Sequence, residues 1–429
     1  MHRLGLAAAV LLCAGLAVAA VDDGAEAGCQ VTRDCFLNGE CQGGVCHCHQ
    51  GWTGPQCGQF DLLPTPPGPL GGKVFPPQAD ASCWGSSAIL GEDGKFHLYS
   101  SGILGKCGLA VWAANAALTH SVSDTLDGRF EPHDVIMRGS NPEITQFGKE
   151  LRLWHSLGGG AWGAETKGYC STCTNGSTPA ACRNESGAGL HSSEAPAVAP
   201  LSAKLIVASD PAGPWQDVPI TCSGWDSQPG GGGRSCPTTS NPTAYYFPNG
   251  TTLLMYDWQK PGSHTKGFFL ASAPDVAGPY SPVSGHWNVT TVTWRQDVAC
   301  TDPFLWRDPR GNFHAVFHCR NWNPGPGGDA GGHAFSADGV SWELAPEPCW
   351  GLTVVHTDGS NTTFYHRERP QVFIDPKSGN PAGLINAVSL ANQNQPFPWQ
   401  EHCPPHPSHI QVGCDQSMAF VQRIRTQVH

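Results

Sequence analysis

From residue 83 onward, short apolar runs alternate with polar turns, and the pattern repeats. One unit of pattern reads SNPEITQFGKELRLWHS (140–156), with relatives SNPTAYYFPNGTTLLMYDW (240–258), TDPFLWRDPRGNFHAVFH (301–318) and RERPQVFIDPKSGNPAGLINAV (367–388). A version without the proline is CWGSSAILGEDGKFHLYSS (83–101). Each predicts two strands joined by a turn rich in Asp, Asn and Gly. A second pattern runs strand, Ser, acid, Gly, aromatic: HSVSDTLDGRF (120–130), VASDPAGPW (207–215), LASAPDVAGPY (270–280) and AFSADGVSW (334–342). It predicts a second hairpin. Two hairpins in succession make a four-stranded unit, and five units begin near residues 83, 141, 241, 302 and 369. Five such units predict an all-β chain whose residues 80–429 form a five-bladed β-propeller; a β-sandwich or two packed barrels are the alternatives. The fifth unit is short of strands, so residues 60–82 are expected to close it. The second unit carries Cys- and Gly-rich insertions at 158–200 and 222–236.

Composition fits. Charged residues are 14%, with 53 Gly and 37 Pro, a balance that favours short strands and turns over long helices. The formal charge of −11 argues against nucleic acid or an anionic membrane as partner. Residues 1–20 have the character of a signal peptide: His2 and Arg3, then LGLAAAVLLCAGL, then Ala17-Val18-Ala19. No later run is long enough for a membrane span. Of the 19 cysteines, Cys13 falls in this leader and an even number remains, as expected for disulfides in a secreted, extracellular protein. Asn175, Asn184, Asn249, Asn288 and Asn361 stand in glycosylation sequons. A Cys83–Cys107 staple within the first unit is one expectation among many pairings.

Cys29, Cys35, Cys41, Cys46, Cys48 and Cys57 crowd into one segment ending CHCHQGWTGPQC. Residues 26–58 resemble an EGF-like domain, which implies the pairs Cys29–Cys41, Cys35–Cys46 and Cys48–Cys57. So small a segment needs crosslinks to stay folded. The resemblance leaves no cysteine for zinc, and the short QGGV loop argues against calcium, so neither a metal nor a cofactor is expected. Residues 59–79 read as a Pro- and Gly-rich linker.

The start of an inner strand lies beside the end of its neighbour. The repeat therefore pairs Asn141 with His155, Asn241 with Asp257, Asp302 with His318, and Arg369 with Asn386, around Ser86 and Ser100 of the first unit. One end of the propeller funnel should carry this polar ring, as a sugar site requires. Asp308, in Asp308-Pro309-Arg310-Gly311, is read as a turn residue. His314 and His318 share a strand face, with metal binding as a minor alternative. Trp84, Trp154, Trp258 and Trp306 are read as core or sugar-stacking aromatics.

Five units with Asp-Pro-type starts resemble family 43 glycoside hydrolases and uncharacterised secreted relatives. The resemblance implies a funnel acting on, or binding, plant- or algal-type glycans containing arabinose, xylose or galactose. Glu368, two residues before Pro370 as in the family's acid motif, is then the acid, and Asp302, in a D-P start, the pKa-modulating group. Asp257 is the remaining carboxylate for activating water, because Asn141 stands where a base would fall and only Asp80 precedes the first unit. The competing reading is a non-catalytic carbohydrate-binding or adhesion protein, tethered to a matrix or cell-surface partner by the EGF-like segment.

Overall fold

The computed structural model describes residues 28–68, 70–76, 81–104, 116–157, 202–223, 240–259, 266–283, 299–320, 330–390 and 417–426. Five four-stranded antiparallel sheets form the blades of a propeller. Blade one is Ser82–Leu90, Phe96–Ile103, Ala116–Ser123 and Glu131–Arg138. Blade two is Ser140–Phe147, Glu150–Leu157, Ser202–Ala208 and Gln216–Val218. Blade three is Ser240–Tyr246, Thr252–Gln259, Lys266–Ala273 and Ser281–Pro282. Blade four is Ala299–Arg307, Phe313–Arg320, Ala330–Ser336 and Glu343–Leu344. Blade five takes His366–Ile374, Pro381–Ser389 and Met418–Arg423, and its outer strand, Lys73–Phe75, comes from before blade one. This is the closing strand expected from residues 60–82, so part of the stretch read as linker belongs to a blade. Lys73–Phe75 covers the edge that Met418–Arg423 would otherwise expose.

The core lies between blades. Leu253, Met255 and Phe268 of blade three pack on Leu305, Phe313 and Phe317 of blade four. Trp154 of blade two is fully buried against blade three, its indole N–H donating to the Tyr246 hydroxyl at 2.7 Å. Trp84 and Trp306 are buried as well; the Trp258 side chain lies outside the described residues. Asp308 takes up the turn role read for it, accepting from the Asn312 amide at 2.9 Å.

Three disulfides, Cys29–Cys41, Cys35–Cys46 and Cys48–Cys57, staple the N-terminal segment in the implied pairing. This segment docks on the propeller: Trp52 and Phe60 share a cluster with Phe304, Trp306 and Trp350, and Phe36 packs on Phe335. A fourth disulfide, Cys300–Cys319, ties the first two strands of blade four. The Cys83–Cys107 staple is corrected: Cys83 is a free, buried thiol that points at the Phe75 carbonyl, 3.5 Å away. Cys107 lies outside the described residues, as do Asp80 and the sequons at Asn175, Asn184 and Asn288. Asn249 and Asn361 are exposed. No described helix is long and apolar enough to cross a membrane.

Candidate functional site

Every inner strand begins with the same irregularity. Two of its residues oppose one on the second strand: Trp84-Gly85, Asn141-Pro142, Asn241-Pro242, Asp302-Pro303 and Arg369-Pro370. Such a bulge leaves one residue unpaired, which accommodates proline, the residue without an N–H. The residue before each proline is left-handed, with φ of 54°, 54°, 60° and 52° for Asn141, Asn241, Asp302 and Arg369. Gly85, at φ 83°, holds that place in blade one. Asn and Asp tolerate this region and Gly prefers it, whereas Arg is strained there.

The bulges aim these residues at the axis, where they meet. Asn141 donates its amide to Asn241. Asn241 Nδ2 reaches Asp302 and also Asp257 Oδ2, at 2.7 Å. Arg369 Nη1 donates to Asp302 Oδ1. The backbone is stitched from blade to blade as well: the amides of Asn141, Asn241 and Asp302 donate to Ser101 Oγ, Ser156 Oγ and Asp257 Oδ1 of the preceding blade. The ring is closed around a cavity of about 20 Å3, room for roughly one water. A ligand would sit on the ring rather than pass through it.

A second line of charge runs outward from Asp302. His318 Nδ1 lies 2.9 Å from Asp302 Oδ2, His318 Nε2 lies 3.5 Å from Glu368 Oε2, and Glu368 Oε1 lies 2.8 Å from His366 Nδ1. Asp302, His318 and Glu368 are all buried, and their facing atoms lie within 4.8 Å of one another. Burial alone would lower the His318 pKa, but the Glu368 and Asp302 carboxylates outweigh it and hold the pKa above its ordinary value. Burial, and then the Asp302 charge beside it, raise the Asp257 carboxyl to about 7. The trio has the donor types of a metal site, but His318 already lies between the two carboxylates and Arg369 pairs with Asp302.

The structure thus brings Asn141, Asn241, Asp257, Asp302, His318, Glu368 and Arg369 together. His155 and Asn386 are corrected: neither reaches the ring. Each stands directly opposite its bulge, and the ring-facing position is one residue further along, at Ser156, Asp257 and His318. A one-residue step on a strand reverses the face. His155 is buried toward Gly139 and Leu118 of blade one's side, and burial lowers its pKa to about 4. Asn386 is fully buried and accepts from Arg367 Nε at 2.9 Å. Arg367 does not pair with Glu368; its guanidinium is spent on Asn386, Gln422 and the Gly351 carbonyl. Two residues that the sequence reading missed are His366, which orients Glu368, and Thr301, which donates to Asp257. Thr301 directly precedes Asp302 and His366 lies two residues before Glu368, positions the repeat alignment could have flagged.

No protein-family profile and no curated protein matches the chain. Solved structures do match. A glycoside hydrolase has TM-score 0.50 at 11% identity, covering 85% of this chain and 94% of that one. A family 117 glycoside hydrolase of the marine bacterium Zobellia galactanivorans has TM-score 0.46 at 14% identity, covering 85% and 89%. An endo-arabinase of Bacteroides thetaiotaomicron has TM-score 0.46 at 11% identity, covering 83% and 98%. At these identities the likeness is one of fold.

Proposed function

We propose that the chain is an extracellular glycan-binding protein whose propeller ring recognises sugar hydroxyls without cleaving the glycosidic bond. The observation that carries this reading is the placement of the acids. Asp257, Asp302 and Glu368 stand together on blades three to five, and Asp302 and Glu368 are bridged by one imidazole within 4.8 Å. Blades one and two offer Gly85 and Asn141 to the ring. Two-carboxylate hydrolysis needs acids on opposite sides of a bound sugar, about 5–5.5 Å apart for retention or 6.5–9.5 Å for inversion. Here the space between the carboxyls is filled by His318. The amides of Asn141 and Asn241 and the guanidinium of Arg369 suit sugar hydroxyls instead. In this reading the N-terminal cysteine-rich segment, of EGF-like type, is a docked module that presents the propeller to a matrix or cell surface. The substrate class is that of the sequence resemblance: arabinose-, xylose- or galactose-containing glycans.

A second reading is favoured by one observation. Burial and Asp302 raise the Asp257 carboxyl to about 7, and the Glu368 and Asp302 carboxylates raise the His318 pKa above its ordinary value, an arrangement a hydrolase could use with Glu368 as acid and Asp302 as modulator. The two readings separate on a panel of arabinan, xylan and galactan oligosaccharides tested for binding and for reducing-end release, with Glu368→Gln in parallel. Binding without release by either protein supports recognition. Release that is lost in Glu368→Gln supports hydrolysis.

A further inference from the structure

On blade one, away from the ring, four side chains form a line. Asp93 Oδ1 lies 3.1 Å from His97 Nε2, His97 Nδ1 lies 2.9 Å from His120 Nε2, and His120 Nδ1 lies 3.2 Å from Asp134 Oδ1. His133 Nδ1 approaches the same Asp134 oxygen at 3.7 Å. Tyr99 stacks on His120 at 5.0 Å and fixes its ring. His97, His120 and His133 line a cleft of about 510 Å3 between blades one and two.

Proton counting makes this line incomplete. Three contacts join two carboxylates through two imidazoles, and each contact needs one proton. Two neutral imidazoles supply two. If His97 donates to Asp93 and His120 donates to His97, the bare Nδ1 of His120 faces the bare Oδ1 of Asp134. Neither atom has a hydrogen-bond partner. One positive charge is missing there, and burial of His120 disfavours filling the gap with a proton.

Blade four carries the same device in balanced form. Asp308 Oδ2 lies 3.4 Å from His314 Nε2, and His314 Nδ1 lies 3.2 Å from His333 Nε2. There the line stops: Ala345 stands beside His333, its amide donating to the His333 carbonyl, and Trp52 of the N-terminal segment covers the ring at 4.8 Å. Two contacts meet two protons; the His333 Nδ1 beyond them is also buried without a hydrogen-bond partner, but no described carboxylate faces it as Asp134 faces His120. Blade one differs by adding a carboxylate and a third histidine and by leaving the end open to a cleft.

We propose that blade one binds a divalent transition metal, zinc by its donor set, through His120 Nδ1, His133 Nδ1 and Asp134 Oδ1. The three donors lie within 4.8 Å of one another. Zinc bonds of about 2.0–2.1 Å in a tetrahedron put donors about 3.3 Å apart, close to the 3.2 and 3.7 Å found. Imidazole and carboxylate donors suit zinc. His97 and Asp93 supply the outer hydrogen-bond chain that holds His120 in the ligating tautomer. Three protein ligands leave a coordination position toward the cleft.

The test is zinc titration of the full-length protein after chelator treatment, followed by calorimetry and by the imidazole NMR resonances. One zinc per chain is expected at this site, moving the His120 and His133 signals and leaving those of His314 and His333 in place. His133→Ala and Asp134→Asn, both on an outer strand and partly exposed, should each weaken binding by about 100-fold or more. Asp93→Asn, which acts only through His97, should weaken it by about 10–100-fold. Glu92→Gln, a cleft residue outside the line, should change nothing. Absence of binding overturns the proposal, as does binding that His133→Ala and Asp134→Asn leave intact or that leaves the His120 and His133 signals unmoved in the wild-type protein.

Discussion

Asp302 and Arg369 hold equivalent places in neighbouring blades, and the Arg369 guanidinium donates to Asp302 Oδ1 across the blade boundary. The two are also among the left-handed residues of the ring, at φ 60° and 52°. The pair therefore does two jobs: it neutralises a buried carboxylate and it holds a strained arginine in place.

Removing one partner leaves the other charge buried. Asp302→Asn should cost about 3–5 kcal/mol, read as a lower urea midpoint. The double variant with Arg369→Gln should recover part of the loss, because it removes the orphaned guanidinium. Equal destabilisation by the single and double variants would show that the guanidinium left without Asp302 carries no penalty.

Asn141 tests recognition without disturbing the fold. Asn141→Gly keeps the φ of 54° accessible and removes the amide from the ring. Glycan affinity should fall about 10-fold, the scale of one or two hydrogen bonds, while the thermal midpoint changes little. Unchanged affinity would place the glycan elsewhere.

Glu143 gives the stability a pH signature. It lies on the inner strand of blade two, and burial raises its pKa to about 8, with Thr145 donating to it at 3.1 Å. A raised carboxyl binds its proton more tightly folded than unfolded. Its contribution is complete below the unfolded value near 4.5 and is lost as pH rises toward 8. Urea unfolding across that window should show a decline on the order of a few kcal/mol, against the opposite slope below about pH 6.5 from His155. Glu143→Gln, which is neutral throughout, should make the decline shallower and leave the part that the raised Asp257 carboxyl contributes.

Cys83 and Cys349 are free and buried. Burial raises the Cys83 thiol to about 12 and raises Cys349 as well. At pH 8 neither should be alkylated in the folded protein, since the thiolate is the reactive form. Peptide mapping after iodoacetamide treatment, with and without denaturant, checks this. Labelling of native Cys83 would contradict the packing of blade one on the closing strand.

The blades were legible because each repeats one hairpin chemistry. Asn-Pro, Asp-Pro and Arg-Pro mark the strand starts, and turns rich in Asp, Asn and Gly mark the ends. The closing strand was legible only by default, from a fifth blade that lacked its fourth strand. Most ring members followed from the repeat, but the bulge did not: it shifts the facing partner by one residue. Asp257 and His318 therefore reach the axis while His155 and Asn386 turn away. The His318 bridge between Asp302 and Glu368 joins two blades, and no spacing within one repeat encodes it. The Asp93–His97–His120–Asp134 line was likewise hidden, since its members sit on three strands and a turn.

In the proposed function the ring recognises glycan and does not cleave it. Calorimetry of the wild-type protein with arabinan, xylan and galactan oligosaccharides, with the same samples analysed for new reducing ends, tests it most directly. Saturable binding to one class with no new reducing ends is the predicted result. Turnover of any of them, abolished by Glu368→Gln, would contradict it.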